Sequence, residues 1–297
     1  MRIFVTGASG FIGSAVVPEL IGAGHDVVGL ARSDASAAAL TAAGAAAHRG
    51  ALDDLDSLRA GAAASDGVIH LAFVHDFTDF TASVQTDVRA IEALGSALAG
   101  SGRPLVIASG TLGLPEGRVA TEADNPALDS PAAPRDAGTR AALALAASGV
   151  RSAALRLPPS VHGDGDHGFV PTLIEIARAK GFSGYVGDGT NHWPAVHRLD
   201  AAQLFRLAVE KAPEGSVLHG VAEEGVSIRT IAEVIGRHLN LPVVSIPREE
   251  AAEHFGWIGA FFGIDSQVSS AHTRELLGWH PTRVGLIEDL EQGHYFG

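Results

Sequence analysis

Met1-Arg2-Ile3-Phe4-Val5-Thr6-Gly7-Ala8-Ser9-Gly10-Phe11-Ile12-Gly13 opens the chain, and its reading decides the fold. The apolar run from Ile3 to Val5 predicts a buried strand, and residues 14–21 continue with helical spacing. Between them, Thr6-Gly7-Ala8-Ser9-Gly10-Phe11-Ile12-Gly13 predicts a tight turn that delivers the chain into a helix N-terminus. The free N–H groups and positive dipole end of such a helix suit a pyrophosphate. Glycine at position 7 permits a turn conformation closed to other residues, Gly10 lets backbone approach phosphate, and Gly13 lets helix lie against strand. A glycine triplet alone is weak, but the strand before it and the helix after it supply the context of a dinucleotide site.

Working outward, residues 27–31 read as a second buried strand. Dinucleotide folds that prefer NAD commonly end this strand in an acid that bonds the ribose 2′-hydroxyl. Here Ala31 holds that place, followed by Arg32 and Ser33. A guanidinium with a hydroxyl beside it favours the 2′-phosphate of NADP. The alternative reading leaves Arg32 in solvent and gives the acid's work to Asp34. Further strands are expected at residues 45–48, 68–72, 104–109 and 153–157. Ala72 stands at the nucleotide end of the fourth, and His70 reads as a packed histidine. Helices are expected at 77–99, 139–147, 169–179, 201–210, 228–239 and 249–255, with a short strand at Val243 and Val244. Residues 114–137, rich in proline and acids, read as a lid or substrate loop, and residues 158–168 as an irregular loop. Strand and helix alternation predicts an α/β fold, a Rossmann-type doubly wound parallel sheet. Residues 1–157 form its dinucleotide-binding domain, and residues 158–297 mainly a smaller substrate lobe interleaved with it.

Composition narrows the function. The 297 residues carry 21 Lys+Arg against 34 Asp+Glu, a net charge of −13, which argues against non-specific nucleic-acid binding. With no cysteine, disulfides, thiolate catalysis and cysteine metal sites are excluded. No run approaches the roughly 18 apolar residues of a membrane span, and the first strand begins at the start of the chain, so a cytoplasmic location is expected. The histidines and acids His162, Asp164, Asp166 and His167 lack a helix to converge them, and His192 with His197 misses the i,i+4 zinc spacing. No metal is expected. Trp193, Trp257, Phe261 and Phe262 read mostly as lobe packing, with one ring left for a substrate pocket.

Taken together, these residues resemble the extended short-chain dehydrogenase/reductase superfamily, in its NAD-dependent epimerase/dehydratase-like branch. The resemblance covers nearly the whole chain. It rests on the glycine motif, His70-Leu71-Ala72, Ser109-Gly110-Thr111, Arg156-Leu157-Pro158, Val161-His162-Gly163, Val196-His197-Arg198-Leu199-Asp200-Ala201-Ala202 and Arg274-Glu275-Leu276-Leu277-Gly278-Trp279. It implies that the stretch from Pro158 to Val161 flanks the nicotinamide. It also implies a substrate side near His162, Phe169, His192, Trp193 and His197; Tyr185, in a loop of unfixed position, is a further substrate-side candidate. The family's Tyr-x-x-x-Lys pair is missing, because the only lysines are Lys180 and Lys211 and the only tyrosines Tyr185 and Tyr295. In its region stands Pro134-Arg135-Asp136-Ala137-Gly138-Thr139-Arg140, where Arg140 would replace the lysine on the ribose and Arg135 or Asp136 falls near the tyrosine's place. An arginine cannot give up a proton at neutral pH. His162 is the leading substitute acid, since imidazole titrates near neutrality, and Tyr185 the second. Thr111, or failing it Ser109, is expected to orient a substrate carbonyl. The expectation is an NADPH-dependent carbonyl reductase of a small or medium hydrophobic molecule. A sugar-type epimerase or dehydratase, or an inactive NADP-binding sensor, are the alternatives. Pairing of copies through the helices flanking the fifth strand is permitted.

Overall fold

Ile3, Phe4 and Val5 have no exposed surface, and the strand they form, β1 (Arg2–Thr6), lies inside a seven-stranded sheet. The computed structural model describes residues 1–76, 79–127, 129–130 and 132–297. In chain order the first half runs α1 (Gly13–Gly22), β2 (Asp26–Ala31), α2 (Asp34–Ala42), β3 (Ala46–Arg49), α3 (Leu55–Ala63), β4 (Gly67–His70), α4 (Phe80–Leu98), β5 (Pro104–Gly110), α5 (Asp136–Ala144) and β6 (Arg151–Leu157). The second half contributes β7 (Ser160–His162), α6 (Phe169–Lys180), β8 (Ser183–Val186), β9 (His192–His197), α7 (Arg198–Lys211), β10 (Ser216–His219), β11 (Glu223–Ser227) and α8 (Ile228–Leu239). It ends with β12 (Val243–Ile246), α9 (Ala251–Phe255), α10 (Gly259–Phe262), α11 (Ala271–Leu277) and α12 (Leu286–Glu291).

The central sheet has the order β10-β6-β5-β4-β1-β2-β3, and its strands are all parallel. Such strands are covered on both faces, and their runs are apolar at nearly every position. One face packs against α1, α7 and α11, with Leu20, Phe205, Leu277 and Trp279 in the core. The other packs against α3, α4 and α5, with Leu58, Ile91 and Ala142. This is the Rossmann-type doubly wound sheet expected. The chain after residue 157 returns to it, supplying α7, β10 and α11. The second lobe has its own core around Trp193, Ile231, Phe255 and Phe262. It carries two small sheets, β11-β9-β7 and β12-β8.

Several local expectations change. Residues 158–168 are not wholly irregular, because Ser160–His162 pairs in parallel with β9. Helix α5 begins at Asp136, inside the stretch expected to be loop, after a 3-10 turn at Ala133–Arg135 with proline near its start. Helix α4 begins at Phe80 with Asp79 capping it; the expected start at residue 77 lies outside the described residues. Among the described residues no helix is long and apolar enough to cross a membrane.

Candidate active site

The turn after β1 forms one end of a groove of about 890 Å³. Gly7 has φ +67°, and a Cβ on it would stand 2.8 Å from the backbone nitrogen of Ala72. A Cβ on Gly13 would meet the Gly7 carbonyl oxygen at 2.1 Å. Only glycine lets α1 start this close to β1. No side chain caps α1, so its positive end is left to an anion from outside. Gly7, Ser9, Gly10, Phe11, Ile12 and Gly13 line this groove, with Leu71 and Ala72 along a wall and Arg32 and Ser33 at the far end. Asp34, the acid of the alternative reading, is absent from the lining and pairs with Arg49 on the outer surface. The Ser33 hydroxyl accepts from the Ser36 N–H at 3.1 Å and caps α2. Arg32 is exposed at the groove.

Ile12, Leu71, Phe73, His75 and His167 line this groove and also a second cavity of about 540 Å³, so the two run into each other. Pro158 and Val161 line the second cavity near that junction. Its floor is the C-terminal end of β5, where Ala108, Ser109, Gly110 and Thr111 emerge. The two hydroxyls differ. Ser109 Oγ lies 2.8 Å from Thr139 Oγ1 and is occupied. Thr111 is fully buried, and its Oγ1 has no hydrogen-bond partner among the described residues. Leaving a buried hydroxyl unsatisfied costs about 1–3 kcal/mol, so an unpartnered one on a residue that lines the cavity calls for an explanation. Phe73, Phe80, Phe169, Trp257 and Phe261 supply the walls, and the Phe169 and Trp257 rings lie 5.3 Å apart.

The first turn of α5 brings charge into this apolar space. Arg135 and Asp136 both line the cleft. Arg135 donates from Nη1 to Asp87 Oδ2 at 2.6 Å and from Nη2 to the Ala108 carbonyl at 3.0 Å. Its guanidinium lies 4.1 Å over the Phe73 ring. Asp87, buried on α4, is 3.2 Å from His70 Nε2 through its other oxygen. His70 Nδ1 is 2.8 Å from Thr6 Oγ1, which also accepts from the Ala72 N–H at 3.3 Å. One buried polar chain therefore links the glycine turn to the cleft. Burial alone would raise the Asp87 pKa, but the hydrogen bond to His70 and the charge of Arg135 outweigh it and hold the carboxyl below its ordinary range. Asp136 accepts from Arg140 at 2.7 Å, with Arg156 3.8 Å away on its other side.

Arg140 must be corrected. Its side chain is 63% exposed and lines neither cavity, because it lies one turn further along α5 and reaches back to Asp136. His162 is corrected too. Alternation along β7 turns Val161 toward the cleft and His162 away from it. His162 is buried, with Nδ1 2.8 Å from Asp289 Oδ2, and His197 packs edge-on against it at 5.3 Å. His197 accepts the Leu199 N–H at 3.2 Å and so caps α7 outside the cleft. His192 on β9 partners Asp265. Trp193 is buried behind Phe169, the ring that does reach the cleft. Tyr185, on β8, lies under the Arg229 guanidinium and lines neither cavity. Among the described residues no three His, Cys, Asp or Glu converge on a metal position.

Sequence reasoning missed Phe73, His75, Phe80 and His167 as cleft residues. Desolvation at the cleft mouth, and next the Arg135 charge, lower the pKa of His75. For Phe73, His75 and Phe80 the signal available was proximity to the end of β4, where parallel sheets place ligands; His167 follows β7 and had no such signal.

A glycine-turn groove opening at the strand ends into an aromatic cleft defines a nucleotide-binding enzyme scaffold of Rossmann type. The chain belongs to the NAD dependent epimerase/dehydratase family, whose model matches residues 3–219. An uncharacterised protein of Schizosaccharomyces pombe is 52% identical, over 100% of both chains. The UDP-glucose 4-epimerase of Streptomyces lividans is 30% identical, over 99% of this chain and 96% of its own. At 28%, over 86% of this chain and 80% of its own, stands a Stigmatella aurantiaca ketoreductase of a farnesylated dihydroquinoline oxide. Among solved structures, MoeE5 in complex with UDP-glucose and NAD superimposes with a TM-score of 0.79 at 26% identity, covering 99% of this chain and 97% of that one.

Proposed function

We propose that the protein is an NADPH-dependent oxidoreductase of the carbonyl reductase type, acting on a small or medium hydrophobic carbonyl without the family's tyrosine. The observation that carries this reading is the unpartnered Thr111 hydroxyl, buried at the floor of an aromatic cleft that joins the glycine-turn groove. The groove suits a nicotinamide dinucleotide: Gly7 and Gly13 let α1 start hard against β1 with its N-terminus at the groove, and Arg32 lines the same groove for a 2′-phosphate. When bound, that dinucleotide supplies the hydride. The chain's own residues do the rest. The uncapped α1 terminus binds pyrophosphate, Pro158 and Val161 back the nicotinamide, Thr111 donates to the substrate carbonyl, and the aromatic walls hold an apolar substrate in place.

The ketoreductase relative, which by its name acts on a farnesylated ring ketone, supports an apolar substrate. The UDP-glucose relatives support an epimerase, but a sugar diphosphate needs cationic clamps. Arg135 is the only Arg or Lys among the described residues lining the cleft. Arg198 lies over Phe11, and Arg274 is bonded to the Val221 and Ala222 carbonyls.

The test is NADPH consumption against ketones and aldehydes, with NADPH and NADH binding titrated on the same sample. Thr111→Val is expected to lower kcat by about a hundredfold, as for loss of an oxyanion donor, with NADPH affinity unchanged. Tight NADPH binding without turnover on any carbonyl would move the reading to a sensor.

A further inference from the structure

We propose that Arg135 holds the substrate's carbonyl oxygen as it becomes an alkoxide, replacing the missing tyrosine as hydrogen-bond donor but not as proton donor. The proposal rests on the carbonyl-reductase reading above. Arg135 is fixed on three sides, by Asp87 at 2.6 Å, by the Ala108 carbonyl at 3.0 Å and by the Phe73 ring at 4.1 Å. A guanidinium carries five N–H groups. Those two bonds use two, and the others have no acceptor among the described residues. The group lines the same cavity as Thr111, so a carbonyl seated against Arg135 meets a fixed cation. A donor oriented before the reaction stabilises charge that develops in the transition state without reorganising.

The atoms balance as follows. A C–H bond of the reduced dinucleotide would break as the carbonyl carbon takes the hydride and forms its own C–H bond, and the π pair would move to oxygen. The dinucleotide is oxidised by two electrons and the carbonyl reduced by two. The alkoxide, held by Arg135, then takes a proton from water, which leaves hydroxide to the solvent. Arg135 keeps its proton throughout, as a guanidinium must at neutral pH. Among the described residues, the other charged or titratable groups lining this space are Asp136 from α5, His75 from the segment after β4 and His167 from the segment after β7, and Asp87 from α4 faces Arg135 from behind.

The first measurement needs no turnover. Benzoate presents a planar oxyanion, and benzyl alcohol is its neutral counterpart. Calorimetry on the dinucleotide-free protein is expected to show benzoate binding about tenfold or more tightly, the scale of a charge-assisted bond. Arg135→Leu is expected to abolish that preference. Arg135→Lys, which keeps a cation beside Asp87 and guards against a folding defect, is expected to retain part of it. In turnover, kcat/KM is expected to stay flat from about pH 6 to 9, and guanidinium ion is expected to restore activity to Arg135→Ala. The proposal is overturned if Arg135→Leu keeps both the benzoate preference and kcat. It is also overturned if kcat/KM falls above neutral pH and His75→Gln removes that fall, which would make the imidazole the acid. Absence of turnover on every carbonyl by the wild-type protein is a different failure. It sinks the reductase reading first, and this proposal with it.

Discussion

Replacing Asp87 with asparagine tests the buried chain between the glycine turn and the cleft. The carboxylate accepts from Arg135 at 2.6 Å and lies 3.2 Å from His70 Nε2, with its side chain 1% exposed. Asparagine keeps the shape and one acceptor, but turns an NH₂ toward the second donor. A hydrogen bond to a charged group contributes about 1.5–3 kcal/mol, and stranding one partner of a buried pair costs about 3–5 kcal/mol. Arg135 is 19% exposed, so water relieves part of that cost, and a loss of about 2–3 kcal/mol is expected. At about 2–4 °C per kcal/mol for chains of this order, Tm should fall by about 5–10 °C. The pH dependence has a definite sign. The folded pKa of Asp87 lies below its unfolded value of 3.8, so the carboxylate's contribution is complete above the unfolded pKa and lost as pH falls through the folded one. Urea unfolding of wild type and Asp87→Asn should therefore give the same difference at about pH 7 and pH 5 and a shrinking one below pH 3.8. A difference under about 0.5 kcal/mol, the range of ordinary surface substitutions, would refute the reasoning. So would one that persists unchanged at the lowest pH at which both proteins remain folded.

Arg32→Ala is expected to weaken NADPH binding by about tenfold or more, the scale of one charge-assisted contact, while NADH binding stays constant. Equal effects on both in parallel titrations would return the ribose end to the Asp34 reading. His162→Gln should keep kcat within about threefold, because the imidazole faces Asp289 and not the cleft. Its cost should appear as about 1–2 kcal/mol of stability in urea unfolding, whereas loss of turnover with unchanged stability would restore His162 as the acid.

The Rossmann half was legible because parallel strands buried on both faces read as apolar runs, and β1, β2, β4, β5 and β6 all do. The second lobe was not. Its strands β8 and β11 are short and only partly buried and mix glycine and glutamate among few apolar residues, and β9 carries a proline between histidine ends, so neither periodicity nor propensity marks them. Within the site, Ser109, Thr111 and Pro158 were legible because they follow strands whose ends the sequence defines. Arg140 and His162 were misplaced by small geometric facts. A 3-10 turn starts α5 early and leaves Arg140 exposed, and the pairing of β7 with β9 puts consecutive side chains on opposite faces. Of the cluster Trp193, Trp257, Phe261 and Phe262, read mostly as packing with one ring for the pocket, two rings, Trp257 and Phe261, line the cleft, and a contact from a segment so distant in sequence leaves no local trace to say which.

The charges in the cleft bear on what it can accept. Arg135 and Asp136 stand side by side at the start of α5, and each is held from behind by an opposite charge: Arg135 by Asp87, and Asp136 by Arg140 and more distantly by Arg156. A substrate therefore meets one partly committed cation beside one carboxylate. For a neutral ketone that arrangement is favourable, since Arg135 has N–H groups to spare and the carbonyl brings no charge to desolvate. For a sugar nucleotide it is adverse. At an effective dielectric near 20, two like charges about 4 Å apart repel by about 4 kcal/mol, so a diphosphate drawn to Arg135 would lose to Asp136 much of what it gained. Neutralising the carboxylate should expose this balance. Asp136→Asn is expected to improve binding of UDP while leaving NADPH-dependent turnover of a neutral ketone within a few-fold, as measured by calorimetry and by NADPH absorbance. If wild type already binds UDP tightly and Asp136→Asn changes nothing, the cleft is not selecting against anions, and the argument for a hydrophobic carbonyl loses its electrostatic half.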